Sequence, residues 1–322
     1  MVLNLLLLLS TLLYCYCEDF GIAGTGLMGT AIGECLLKND YSVAAWNRSP
    51  EKTKTLTEAG ATSVKEFKEL FKKTNTVIMT VVGDPDMAIA TILLESVGKD
   101  LKGKTVIQWT SHDPLSAEAQ SKMVEKYGGT WIGGAMIQTY TQVCSPAGFY
   151  FMSGANEDKF KELEPALEKL GPQKYMGTNA GFGALYDIAI LVHYFIGYEG
   201  HLLALALLEA AGGDADVFEE LTLQIYNVML EPITKMTTNN FKTADFRTAM
   251  LMSIESSIPT YEMHSRYMRK IGLDCSVWEA ALKVYKEMVA ANPAVGKYDV
   301  SAKAKYFNNK NLNFLSKEKE EL

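Results

Sequence analysis

The chain has 322 residues, 48% hydrophobic and 21% charged, enough to bury a substantial core in two domains. Its formal net charge is -7, and no basic tract or basic-aromatic interleaving offsets it, which argues against nucleic acid as a partner. No His, Cys or carboxylate group has metal-ligand spacing, so no metal is expected.

Val2 to Cys17 is an apolar run that ends before Glu18-Asp19. It is shorter than the roughly 20 residues that span a bilayer. It reads as the apolar region of a secretory signal, with Cys15 and Cys17 before a cut, although no Lys or Arg precedes it. Residues 1–17 are thus expected to be a signal peptide; the alternative is a mis-assigned start on a cytoplasmic protein. The charged tail, residues 316–322, ends in Lys319-Glu320-Glu321-Leu322, which is similar to the Lys-Asp-Glu-Leu retrieval signal. Leader and tail together point to the lumen of the endoplasmic reticulum. Beyond the leader, Cys35, Cys144 and Cys275 are widely spaced and suggest no disulfide framework; Cys35 reads as a core residue on the first helix.

Residues 18–178 read as an α/β domain. Phe20-Gly21-Ile22-Ala23 is a short buried strand, and Gly24-Thr25-Gly26-Leu27-Met28-Gly29 is a Gly-x-Gly-x-x-Gly turn entering a helix that runs to Lys38. Such a turn brings a pyrophosphate against backbone N–H groups at a helix N-terminus. A second strand, Tyr41 to Trp46, ends about 20 residues beyond the glycines, where the residue that reads the adenosine ribose belongs. An NAD site has a carboxylate there. This chain has Asn47-Arg48-Ser49-Pro50-Glu51-Lys52, in which Arg48, Ser49 and Lys52 suit a 2′-phosphate, so NADP(H) is the expected cofactor.

Helices are expected over Glu51 to Glu58 and Val64 to Lys73, and a strand over Thr76 to Val82, closed by Gly83-Asp84-Pro85. A helix from Met87 to Val97, a strand from Thr105 to Trp109 and a helix from Pro114 to Tyr127 follow. Thr130 to Ala135 and Gly148 to Gly154 read as extended. This alternation implies a parallel sheet with its ligand at the strands' C-terminal ends, which places Val81, Val82, Thr110 and Ser111 along the nicotinamide ribose. From residue 179 to 315 the chain turns helical. Ala180 to Leu208 is apolar on most sides and needs a partner surface, so a homodimer is expected.

The fingerprint, the Asn-Arg-Ser turn and the helical second half resemble the β-hydroxyacid dehydrogenase and 6-phosphogluconate dehydrogenase superfamily, and within it the NADPH-dependent imine reductases. The likeness also covers Thr105 to Ser111, Gly134-Ala135-Met136-Ile137, Gly181 to Ala189 and Tyr298 to Ala302. It implies a Rossmann domain with a parallel sheet, a long interdomain helix and an all-helical dimerisation domain. In the hydroxyacid dehydrogenases a catalytic Lys stands four residues after the second glycine of Gly-x-Gly, and an Asn four residues further. Here those places hold Asp187 and Leu191, as in the Asp type of imine reductase. A carboxylate can stabilise an iminium and manage its proton, so Asp187 is the expected catalytic group. Tyr194, Trp109 and Met136 are candidates for the substrate pocket. The substrate would be a small imine or carbonyl compound. The alternatives are a carbonyl reductase or 3-hydroxyacid-type dehydrogenase, or a catalytically silent NADP-binding module. Gln108-Trp109 departs from the usual Asn-Leu, and Gly133 from a frequent Asp.

Overall fold

The structure is a computed structural model that describes residues 17–81, 88–248, 250–308, 310 and 312. Val82, the leader up to residue 16 and the tail 316–322 lie outside the described residues. The chain forms two compact units, Met1–Val192 and His193–Leu322.

The first unit runs β1 (Phe20–Ala23), α1 (Leu27–Lys38), β2 (Val43–Trp46), α2 (Lys54–Glu58), β3 (Thr62–Ser63), α3 (Phe67–Lys73), β4 (Thr76–Met79), α4 (Ala88–Val97), β5 (Thr105–Gln108), α5 (Pro114–Lys126), β6 (Thr130–Met136), β7 (Tyr150–Ser153), α6 (Glu157–Leu167) and β8 (Gln173–Tyr175). It ends with the first turns of α7 (Phe182–Ala211). Among the described residues the strands make one eight-stranded sheet in the order β3-β2-β1-β4-β5-β6-β7-β8. β1, β2, β4 and β5 are buried at every position, as strands covered on both faces must be. Side chains alternate between two cores. Ile22, Ile107 and Trp109 pack with Ile32 and Leu36 of α1 and with Phe160 and Leu163 of α6. Ala23, Met79 and Val106 pack with Leu70 of α3, Leu94 of α4 and Val124 of α5. Helices therefore cover both faces. The strand order reverses between β1 and β4, which opens a crevice at their C-terminal ends.

Three local features differ from the sequence expectation. The helix expected from Val64 begins at Phe67, because Glu66 and Glu69 form a reciprocal capping box that fixes its start. The sheet is parallel from β3 to β6, and β8 is parallel to β7, but β7 pairs antiparallel with β6. The chain between them carries only a short 3-10 turn, Tyr140–Gln142, and a connection without a crossover helix returns the strand in the opposite direction. Finally, Cys35 of α1 is disulfide-bonded to Cys144 of that connection. The expectation of unpaired cysteines is corrected: Cys35 is buried in the core as expected, but it is also a cross-link.

The second unit holds the rest of α7 with α8 (Ala215–Ile225), α9 (Glu231–Thr243), α10 (Ile254–Lys270), α11 (Ser276–Ala291) and α12 (Lys303–Phe307). Phe246, Ile254, Tyr285, Met288, Val295 and Tyr298 form its small core. Buried Asp299 accepts the N–H groups of Leu251 at 2.7 Å and Ser301 at 2.8 Å, tying the segment after α9 to the chain before α12.

Candidate active site

The glycine turn between β1 and α1 is built for close approach. Gly24 has φ +97°, a conformation that suits glycine, and a Cβ there would lie 2.5 Å from the carbonyl oxygen of Thr80. A Cβ on Gly29 would lie 1.9 Å from the oxygen of Gly24, so α1 packs directly on the turn. Gly26 differs: a Cβ there would point into open space. Gly26 also N-caps α1 without a side-chain cap, which leaves the first-turn N–H groups of Leu27, Met28 and Gly29 for an anion. Leu27 is exposed and Met28 packs against the core. Two hydroxyls hold the turn from outside. Thr80 Oγ1 donates to the oxygen of Gly24 at 2.7 Å, and Thr25 Oγ1 donates to the oxygen of Lys52 at 2.8 Å.

That second bond draws the end of β2 alongside the glycines. Asn47 Oδ1 accepts the Ser49 N–H at 3.0 Å and folds the Asn-Arg-Ser turn back on itself. The result is a cavity of about 320 Å³ lined by Gly24, Gly26, Asn47, Arg48, Ser49 and Lys52, with Val81 on its far wall. Trp46, Thr80, Ile89 and Leu93 complete it. These four were not singled out from the sequence; their signal was position alone, at strand ends and on the next helix. Among the described residues, the side chains of Arg48 and Lys52 have no carboxylate partner. Free cations beside an uncapped helix N-terminus fit a phosphorylated adenosine half.

At the C-terminal end of β5, the Thr110 N–H donates to Gln108 Oε1 at 3.0 Å, and His112 Nδ1 donates to the Thr110 oxygen at 2.6 Å. Ser111 between them is exposed. His112 is buried with its ring edge-on to Trp131, and burial pushes its pKa down, so it is a neutral structural histidine. Trp109, expected to line the pocket, is instead 2% exposed and packs on Tyr150 with ring centroids 5.0 Å apart. Strand alternation sends it into the core, on the face opposite Gln108. Met136, half-buried at the end of β6, packs against the same core.

Asp187 is placed by glycine contacts. A Cβ on Gly183 would lie 2.9 Å from Gly134 Cα and 3.0 Å from the Gly133 oxygen, so the first turn of α7 rests on β6. Ser153 of β7 fastens it: Ser153 Oγ accepts the Gly183 N–H at 2.8 Å and donates to the Ala180 oxygen at 3.1 Å. Asp187 lies one turn further on the face of Gly183 and Ala184, which are also buried. It is 7% exposed, and burial raises its pKa. Among the described residues its carboxyl group has no hydrogen-bond or ion-pair partner. Tyr194 belongs to the second unit, is exposed, and stacks on Tyr198 with centroids 6.4 Å apart. No metal-binding cluster occurs among the described residues.

Residues 19–178 match the model of the NAD binding domain of 6-phosphogluconate dehydrogenase, and residues 179–304 that of the NADPH-dependent reductive aminase-like C-terminal domain. The NADPH-dependent reductive aminase of Aspergillus oryzae is 30% identical over 193 residues, 60% of this chain and 64% of that one. Glyoxylate/succinic semialdehyde reductase 1 of Arabidopsis thaliana is 25% identical over 177 residues, 53% of this chain and 60% of that one. The matches thus span less than two thirds of these relatives' lengths. The structure of a reductive aminase from Aspergillus terreus in complex with NADPH and ethyl-5-oxohexanoate superposes with a TM-score of 0.83 at 24% identity, covering 90% of this chain and 99% of that one.

Proposed function

As a chain that belongs to the 6-phosphogluconate dehydrogenase-like superfamily, with an NAD(P)-binding domain and a reductive aminase-like C-terminal domain, this protein is one for which we propose NADPH-dependent reduction of a C=N bond in a small imine. The observation that carries the reading is the buried, unpartnered carboxyl of Asp187, at the place where a hydroxyacid dehydrogenase would hold a lysine. Bound NADPH supplies the hydride. The chain's residues do the rest. The glycine turn and the N-terminus of α1 hold the pyrophosphate, and Arg48, Ser49 and Lys52 hold the 2′-phosphate, with no carboxylate at the end of β2 to repel it. Asp187 faces the cation that an imine becomes on protonation. Its pKa, raised by burial, suits it to hold or pass one proton.

Purified protein would be given NADPH and a panel of cyclic imines and small keto acids or semialdehydes, with Asp187→Ala alongside. Imine-dependent oxidation of NADPH that falls by about 10²-fold or more in the variant supports the reading. Turnover of carbonyl substrates alone overturns it and favours the second reading, a carbonyl reductase, which the likeness to the Arabidopsis semialdehyde reductase supports.

The homodimer is part of the proposal. Along α7, Val192, Tyr194, Phe195, Ile196 and Tyr198 are all exposed, a run of apolar surface that a second copy would cover. The helix is long and apolar enough to cross a membrane, with a mean hydropathy of 1.4 over an 18-residue stretch, but Glu199 and His201 sit in its middle and favour a protein partner. Placement in the lumen of the endoplasmic reticulum is likewise proposed; the Cys35–Cys144 bond supports an oxidising compartment.

A further inference from the structure

Two side-chain amides are buried beneath the nicotinamide end of the crevice, and the cofactor-holding groups described above use neither. Gln108, the last residue of β5, is 0% exposed, and Gln120 of α5 is 1% exposed. Gln108 Oε1 accepts the Thr110 N–H at 3.0 Å. Gln108 Nε2 donates to Gln120 Oε1 at 3.2 Å, and Gln120 Nε2 donates to Thr91 Oγ1 of α4 at 3.2 Å. One chain of hydrogen bonds therefore joins α4, α5 and the turn that leaves β5. Burying two amides costs free energy that a leucine pair would not. Their partners offset that cost only in one arrangement, so such a network fixes positions more than it adds stability.

The position it fixes is that of Thr110. Its N–H is held by Gln108 and its carbonyl by His112 Nδ1, so both ends of the residue are anchored. β5 is paired with β4, and the Trp109 N–H continues that pairing to the Met79 oxygen at 2.9 Å, which sets the turn beside Thr80 and Val81 on the cavity wall. Helix α4, at the far end of the relay, contributes Ile89 and Leu93 to the same wall.

We propose that Gln108 is a positioning residue for the cofactor's nicotinamide half: through Gln120 and Thr91 it locks the Thr110–His112 turn in register with the α4 wall of the crevice. The inference rests on the placement of the nicotinamide at the C-terminal ends of β4 and β5, but not on the identity of the substrate.

The test compares two ligands, NADPH and adenosine 2′,5′-bisphosphate, which has the 2′-phosphate but no nicotinamide. Dissociation constants would be measured for the wild type, Gln108→Leu, Gln108→Glu and Gln120→Leu, together with unliganded melting temperatures. Loss of one or two such bonds should weaken NADPH about five- to tenfold in Gln108→Leu and about two- to threefold in Gln120→Leu. Binding of adenosine 2′,5′-bisphosphate should not change in Gln108→Leu, which keeps the Gln120–Thr91 bond to α4; in Gln120→Leu, which releases that wall, it should weaken less than NADPH does. Gln108→Glu keeps the acceptor for the Thr110 N–H, and the Gln120 amide can turn to donate to it, so this variant should recover part of the NADPH affinity. Equal weakening of both ligands, or no change in either, overturns the proposal. If Gln108→Leu does not fold, Gln120→Leu decides alone, because it frees the Gln108 amide while leaving the Thr110 contact in place. No imine enters the measurement, so its failure is separate from failure of the imine reading.

Discussion

Breaking the Cys35–Cys144 bond tests the first unit as a folded object and its redox setting together. The two cysteines are 109 residues apart, so the bond closes a loop holding most of the Rossmann sheet. In the chain-entropy account, a loop near 100 residues restricts the unfolded state by about 4.7 kcal/mol, and native cross-links realise about 2–4 kcal/mol. The choice of cysteine matters. Cys35 is 3% exposed, and Cys35→Ser would add the cost of burying a hydroxyl. Cys144 is exposed, so Cys144→Ser removes the cross-link and leaves Cys35 as a small buried thiol. At about 2–4 °C per kcal/mol for a unit of this size, Cys144→Ser should melt roughly 5–15 °C below the oxidised wild type. Thermal melts by circular dichroism, with and without a phosphine reductant, would check this. Reductant should bring the wild type down to the variant and leave the variant unmoved. The reasoning is refuted if both cysteines of native, unreduced protein alkylate, or if oxidised and reduced wild type melt together.

Asp187→Asn should abolish most turnover yet melt higher than the wild type near pH 7. Burial raises the folded-state pKa above the ordinary value of about 3.9, so the charged carboxyl costs stability above that pH, and the advantage of Asn should shrink as melts are taken down toward pH 4. Arg48→Ala should weaken NADPH about 10- to 100-fold and leave NADH nearly unchanged, because the lost contact is a charge-assisted one to the 2′-phosphate; titration of both cofactors reads it. Two glycines separate cradle from scaffold. Gly26→Ala meets no atom within 4 Å and should fold normally while binding NADPH more weakly, whereas Gly29→Ala drives a Cβ to 1.9 Å from the Gly24 oxygen and should lower the melting temperature itself.

The cavity proposed to take the phosphates was legible because its causes are local. Gly24 needs its positive φ, Gly29 its missing Cβ, and the Asn-Arg-Ser turn its place after the second strand, all within about 30 residues. Long-range pairing was not legible. The reversed direction of β7 depends on what the chain between residues 137 and 149 fails to form, and the short strand Gln173–Tyr175 is too polar to announce itself. The disulfide joins segments that only the folded sheet brings together.

Trp109 and Asp187 show the two limits side by side. Trp109 was assigned to the pocket from its bulk and its distance along the chain. The pleat decides otherwise: residues 108 and 109 face opposite sides of the sheet, and the larger one has a core waiting on its side in Tyr150. Asp187 was expected from the resemblance to the imine reductases, which places it four residues after Gly183, and such a spacing on a helix is a statement about faces. One turn separates the glycine that touches β6 from the carboxyl, so whatever pins Gly183 also aims Asp187. The tether is Ser153, a residue with no signal in the sequence. Its hydroxyl spans the Gly183 N–H and the Ala180 carbonyl, and it sits opposite Gly133 in the β6–β7 register. The antiparallel strand that the alternating pattern did not foretell thus carries the group that seats the helix. The part of the fold hidden from the sequence is what holds Asp187, the proposed catalytic group, in place.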